Sequence, residues 1–262
     1  NRDEAPGCSP ALGPLARRRE RELDLTGVWE ASSMASVRFV GSGDAFGSGG
    51  RLQTCVLVEH REWRCLIDCG ATSLVGLKAA EIDPASIDTI VISHLHGDHF
   101  GGLPFLLLDA QFNSKRSTTL QIVGHADLEA RLRETMDMLY PGSQSVFDSV
   151  DVEFVVVGPE SAIALGAASV EVVEVAHFAG SPSFGVRVTT PSGAIVAYSG
   201  DTAWTDTLVD LAVGAELFIV ECYFFVQPGA WPVVYATLSA ILHRWCAGRV
   251  GAAQLGPGGR AR

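Results

Sequence analysis

An α/β protein, with helices covering the faces of a β-rich core, is the architecture expected of this chain, and three observations carry that expectation. Strand-like apolar runs recur from residue 35 onward, and apolar or amphipathic stretches of helical length separate them. Of the 262 residues, 47% are hydrophobic, enough to bury a sizeable core. One domain is expected over residues 34–262. Residues 1–33, rich in Pro, Gly, Arg and Glu without periodicity, are expected to be a tail, disordered or derived from upstream sequence, with Met34 as the natural start.

The elements follow in order. The stretch MASVRFV alternates through Val37 and Phe39 as a half-buried strand does. Its continuation GSGDAFGSGG, Gly41 to Gly50, lacks the Lys-Ser/Thr ending of a P-loop and reads as a turn placed to line a pocket. CVLVE and CLIDCG flank HREWR as a hairpin, with His60 in the turn, and IDTIVIS is a continuous apolar run of the buried kind. Further strands are expected in DVEFVVVG, SVEVVEVAH, FGVRVTT, AIVAYSG and ELFIVEC. Helices are expected in SLVGLKAA, LPFLLLDAQF, ADLEARLRETMDMLY, TAWTDTLVDLA and ATLSAILHRWCAG, with His125 just ahead of the third. Near the end, GRVGAA lacks a β-branched run and makes a poor strand.

Charge and cysteines narrow the function. Acidic residues outnumber basic ones, 30 to 19, and the net charge of −11 supplies no field for polyanions, which disfavours nucleic acid and anionic membrane surfaces. The one basic run, ARRRERE at Ala16 to Glu22, is interleaved with glutamates and reads as a solvated tail. No apolar segment reaches the roughly 20 residues of a membrane span, and NRDEAPGCSP has no signal-peptide apolar region, so a cytoplasmic location is expected. The six cysteines form no paired CxxC knuckles and read as reduced, structural thiols.

Chemistry concentrates in SHLHGDHFGG, directly after the buried strand IDTIVIS. His94, His96, Asp98 and His99 fall within six positions, and two glycines then interrupt any regular helix. Imidazole nitrogens and carboxylate oxygens are the donors of zinc and its neighbours, and crowding four of them at one strand end creates a conflict that a cation resolves. Catalytic metal sites usually draw ligands from several strand ends. Two more candidates fit: His177 ends SVEVVEVAH, and Asp201 ends AIVAYSGD.

These motifs, SHLHGDHFGG, VAHFAGSPSFGVRV and AYSGDT in that order, resemble the metallo-β-lactamase superfamily and within it the ribonuclease Z-like branch, over about residues 35–257. The resemblance implies a four-layer αββα sandwich with the site at one edge. It implies His94, His96 and His177 as ligands of a first metal, Asp98 and His99 as ligands of a second, and Asp201 as a bridging carboxylate. The implied cofactor is zinc, one or two divalent ions, with manganese as the alternative. Two metals roughly 3.5–4 Å apart can bring a shared water to near-neutral pKa and polarise the electrophile's oxygen, and Asp98 would orient that water or take its proton. An aspartate at position 201 is the pattern of the superfamily's phosphodiesterases, thioesterases and lactonases rather than of its β-lactam hydrolases. The expected activity is hydrolysis of a small phosphodiester or related ester by a metal-bound hydroxide, and a homodimer is a possible assembly.

The pattern breaks near the end. Aligned on LGP, the position where relatives carry the terminal histidine ligand holds Gln254, a neutral and weaker donor, and aligned on YATL an earlier histidine is replaced, at Pro232. His243, inside a helical pattern, reads as a helix-surface residue. Two alternatives therefore stand beside the hydrolase: a metal-binding pseudoenzyme of the same fold, and a hydrolase with promiscuous lactone or β-lactam activity.

Overall fold

The structure is a computed structural model, and the description covers residues 28–30, 35–61, 63–221 and 249–253. Thirteen strands among these residues form two sheets. The first runs, in spatial and chain order, β1 (Val28–Glu30), β2 (Ala35–Gly41), β3 (Cys55–His60), β4 (Trp63–Ile67), β5 (Thr89–Val91), β6 (Leu120–Gly124) and β7 (Val152–Val156). Its first four strands pair antiparallel and the rest join in parallel. The second sheet contains β8 (Ala162–Leu165), β9 (Ala168–Val175), β10 (Ser183–Thr189), β11 (Ile195–Tyr198), β12 (Leu217–Glu221) and β13 (Arg249–Ala253) as successive neighbours. Here β11, β12 and β13 are parallel.

Alternation along each strand builds four layers. On β3, Val56 and Val58 join a cluster with Val172, Phe184, Val186, Tyr198 and Ile219 of the other sheet, whereas Leu57 points to the opposite face. That face packs on Leu77 of α1 (Ser73–Ala79), Leu103, Leu106 and Leu107 of α3 (Leu103–Phe112), and Leu128, Leu132 and Met136 of α4 (Leu128–Leu139). Between α1 and α3 lies the single turn α2 (Gly97–Phe100). Ala197, Phe218 and Val220 of the second sheet pack on Leu208 and Leu211 of α5 (Thr207–Ala212). Burying each large apolar side chain is worth roughly 1.5–3 kcal/mol. The αββα sandwich expected from the sequence is the observed one.

Several boundaries differ from expectation. Three residues of the segment expected to be tail belong to the sheet: Val28, Trp29 and Glu30 pair antiparallel with Arg38, Val37 and Ser36. A β-branched residue followed by an aromatic one suits a strand despite the polar surroundings. The segment 249–253, expected to be a poor strand, forms β13, because β12 offers a complete parallel edge against which backbone pairing overrides weak propensity. His60 is not in the turn but ends β3 opposite Trp63, and it is buried. Strands β6 and β8 lie in stretches from which no strand was expected. The helix expected over 202–212 starts only at Thr207, since Thr202 and Ala203 donate their N–H groups to Glu221 and to the Ala176 carbonyl. The helix expected in ATLSAILHRWCAG, with His243, as well as Pro232 and Gln254, lies outside the described residues. Among the described residues no helix is long and apolar enough to cross a membrane.

Candidate metal centre

The site collects where strands of both sheets end at one edge. Asp68 follows β4, Ser93 to His99 follow β5, His177 follows β9, Asp201 follows β11, and Glu221 closes β12. A main-chain hydrogen bond from Phe184 N–H to the Ser93 carbonyl, 3.0 Å, ties the two sheets together beneath it. Close packing explains two of the local glycines. A Cβ at Gly102 would lie 2.2 Å from the Gly70 carbonyl oxygen, and one at Gly200, whose φ is +61°, would lie 2.5 Å from that of Phe184. The glycines after His99 thus let α2 and α3 settle against the β4 end.

Two trios of donor atoms, each within 4.8 Å of one another, share His94: His94 with His96 and His177, and His94 with His99 and Asp201. His94 Nε2 is 3.2 Å from His96 Nδ1, which is 3.1 Å from His177 Nε2. Nitrogens bound about 2.0–2.1 Å from a tetrahedral zinc stand about 3.3–3.4 Å apart, so the first trio is close to the spacing a metal requires. Asp98 belongs to neither trio; its Oδ2 lies 3.5 Å from His99 Nε2. Asp201 Oδ1 is buried without a hydrogen-bond partner, 3.3 Å from His99 Nε2. A buried carboxylate oxygen set among imidazoles is a donor group that suits a divalent cation.

A second layer, absent from the sequence-derived set, aims these donors. Asp68 Oδ1 accepts from Ser93 N–H at 2.7 Å, and its Oδ2 accepts from Ser93 Oγ at 2.8 Å and faces His99 Nδ1 at 2.7 Å. With its proton committed to Asp68, Ser93 Oγ can accept from His94 Nδ1–H, 3.1 Å away, which leaves the Nε2 lone pair of His94 toward the site. Glu221 Oε2 accepts from Thr202 N–H at 2.9 Å and so fixes the turn that carries Asp201. The sequence held one signal for Asp68, an acidic residue inside the apolar run of CLIDCG; Glu221 looks like an ordinary strand end.

Electrostatics agree with a site built for positive charge. Burial, and then the surrounding histidines, hold His94 well below the ordinary imidazole pKa, and burial lowers His177. Both are therefore neutral donors. Burial opposes protonation of His99 as well, but the charges of Asp201 and Asp68 prevail and hold it well above the ordinary value. Burial, reinforced by Asp201, pushes the Glu221 carboxyl far upward. Burial raises the Asp98 carboxyl, but His99, with the backbone and His96, together bring it below the usual carboxylate value.

A four-layer αββα sandwich with a His/Asp cluster across one sheet edge defines a protein of the metallo-β-lactamase fold. The solved metallo-β-lactamase fold protein YhfI from Bacillus subtilis superimposes with a TM-score of 0.71 at 21% identity, over 86% of this chain and 88% of its own. The short form of human tRNase Z gives 0.68 at 23%, over 85% and 93%. The sequence profile described as Anti-Pycsar protein Apyc1 matches residues 35–243, and the chain belongs to that family. The uncharacterized protein Rv1339 of Mycobacterium tuberculosis is 35% identical over 165 residues, 62% of this chain and 58% of its own length. The chain thus spans about three-fifths of the length of such curated relatives.

Proposed function

We propose that the chain is a metal-dependent hydrolase of small phosphodiesters, and that within this class its substrate is a cyclic nucleotide. The pair of trios sharing His94 is the observation that carries the first part. Membership in the Apyc1 family favours the second. His94, His96 and His177 would hold one divalent ion, and His99 and Asp201, with Asp98 beside them, a second, zinc or manganese by donor type. Such ions supply a nucleophile at neutral pH and polarise the phosphoryl oxygen.

The remaining work falls to the chain. Asp68 and Ser93 would hold the ring orientations of His99 and His94, so that these donors face the ion. Asp98, outside both trios and facing His99 Nε2, would orient the attacking water and accept its proton. The net charge of −11 favours a compact substrate of low charge over a polyanion such as transfer RNA.

The test is hydrolysis by the full chain, chelated and then reloaded with zinc or manganese. The substrates are 3′,5′-cyclic nucleotides, bis(p-nitrophenyl) phosphate, a carboxylic ester and a β-lactam. Metal-dependent conversion of a cyclic nucleotide to its monophosphate is the expected result. Activity on the ester or the β-lactam alone, or activity that survives chelation, would overturn the proposal.

A further inference from the structure

We propose that Phe178 is the platform on which the nucleobase of the substrate stacks, an inference that rests on the cyclic-nucleotide reading above. Phe178 immediately follows the candidate ligand His177, about 3.8 Å away along the backbone, and its side chain is 90% exposed. Single exposed apolar residues are ordinary on protein surfaces, so exposure alone decides nothing. Phe46 and Phe112 are also exposed, yet neither is a chain neighbour of a candidate ligand.

Phe178 also stands on a fixed stem. Ala176 is bridged to Ala203, with Ala203 N–H donating to the Ala176 carbonyl at 2.9 Å and Ala176 N–H donating to Thr202 Oγ1 at 3.0 Å. His177 N–H donates to the Val175 carbonyl at 3.1 Å, and Ser183 Oγ–H donates to the His177 carbonyl at 3.3 Å. The backbone entering Phe178 is therefore held from the β11 side and from the start of β10. A ring kept in water on such a stem, one residue along the chain from a candidate ligand, forgoes burial that the core could have supplied. A substrate base recovers that burial on binding. Every base presents a π-face, and stacking on an aromatic side chain needs no charge, which suits a chain of net charge −11 binding an anion.

The experiment compares wild type, Phe178→Ala, Phe178→Tyr and Phe112→Ala in the full, metal-loaded chain. The substrates are a 3′,5′-cyclic nucleotide and the base-free methyl riboside 3′,5′-cyclic phosphate. Phe178→Ala is expected to raise KM for the nucleotide roughly 5- to 150-fold, the scale of losing one base–aromatic stack. Its kcat, its metal content and its kcat/KM for the base-free substrate should stay at wild-type values. Phe178→Tyr should restore KM, and Phe112→Ala should change nothing. If wild type cleaves the nucleotide and Phe178→Ala leaves KM unaltered, the stacking role is wrong while the phosphodiesterase reading stands. Loss of metal or of kcat on both substrates would make Phe178 a support for His177, and would equally overturn the inference. A wild type that cleaves only substrates without a base defeats the cyclic-nucleotide reading, and the stacking role with it.

Discussion

Asp68 Oδ2 lies 2.7 Å from His99 Nδ1, and both side chains are fully buried. Asp68 also accepts from both donors of Ser93, its N–H and its hydroxyl, so one carboxylate orients a candidate ligand of each trio. It sits in the left-handed region, φ 60°, which Asn tolerates better than other residues of its size. Asp68→Asn is therefore expected to fold while its affinity for metal falls roughly 10–100-fold, the range for partners that orient ligands. Competition against a chromophoric chelator measures this, and unchanged affinity would show that His99 needs no carboxylate behind it.

His96→Ala should remove most of the bound metal and nearly all turnover. Its Nδ1 sits between His94 Nε2 and His177 Nε2, so its loss opens one corner of the first trio to water. Elemental analysis after dialysis, alongside the rate on bis(p-nitrophenyl) phosphate, is the check. Wild-type metal content in this variant would remove His96 from the ligand set.

Away from the site, Asp109 on α3 accepts from Lys78 and from Asn113 Nδ2. Burial works against its charged form, yet these partners hold its pKa below the ordinary aspartate value. A carboxyl lowered on folding contributes stability that is complete above its unfolded pKa and is lost as pH falls through its folded pKa. Lys78 is half exposed, so solvent screens that pair. Asp109→Ala is expected to cost about 1–3 kcal/mol at neutral pH, with the deficit shrinking below about pH 4. Urea unfolding at several pH values tests this; a deficit independent of pH would assign the loss to packing.

A chain starting at Met34 would lack β1 and leave β2 without its outer neighbour. Because β1 contributes a three-residue antiparallel pairing at the sheet edge, the melting temperature should fall by roughly 2–8 °C, equivalent to about 1–2 kcal/mol, with kcat unchanged. Calorimetry decides the point, and identical melting of the two chains would deny β1 any stabilising part.

What could be read from the sequence was whatever is local in it. His94, His96, Asp98 and His99 stand out because they crowd one strand end, and His177 and Asp201 because each directly follows an apolar run. The αββα layering follows from runs such as CVLVE, whose neighbouring residues feed different layers. Asp68 escaped because its partners Ser93 and His99 lie 25 and 31 residues away, and its one local mark, an acid inside the apolar run CLIDCG, does not say what it holds. Glu221 escaped similarly, since its partner Thr202 is 19 residues distant. The shortened α5 and the added β13 are cases in which tertiary hydrogen bonding overrode local propensity.

The hydrogen bond from Phe184 to Ser93 joins two sheets that otherwise meet mainly through side-chain packing, and the donors are split across that seam. His94, His96 and His99 ride on one half, and His177 and Asp201 on the other. A cation held by both halves would act as a rivet through the sandwich, adding mechanical closure to whatever chemistry it performs. Stripping it should loosen the ends of β5, β9 and β11 together, visible as faster amide exchange at that edge, while the opposite rim of the sandwich keeps its protection.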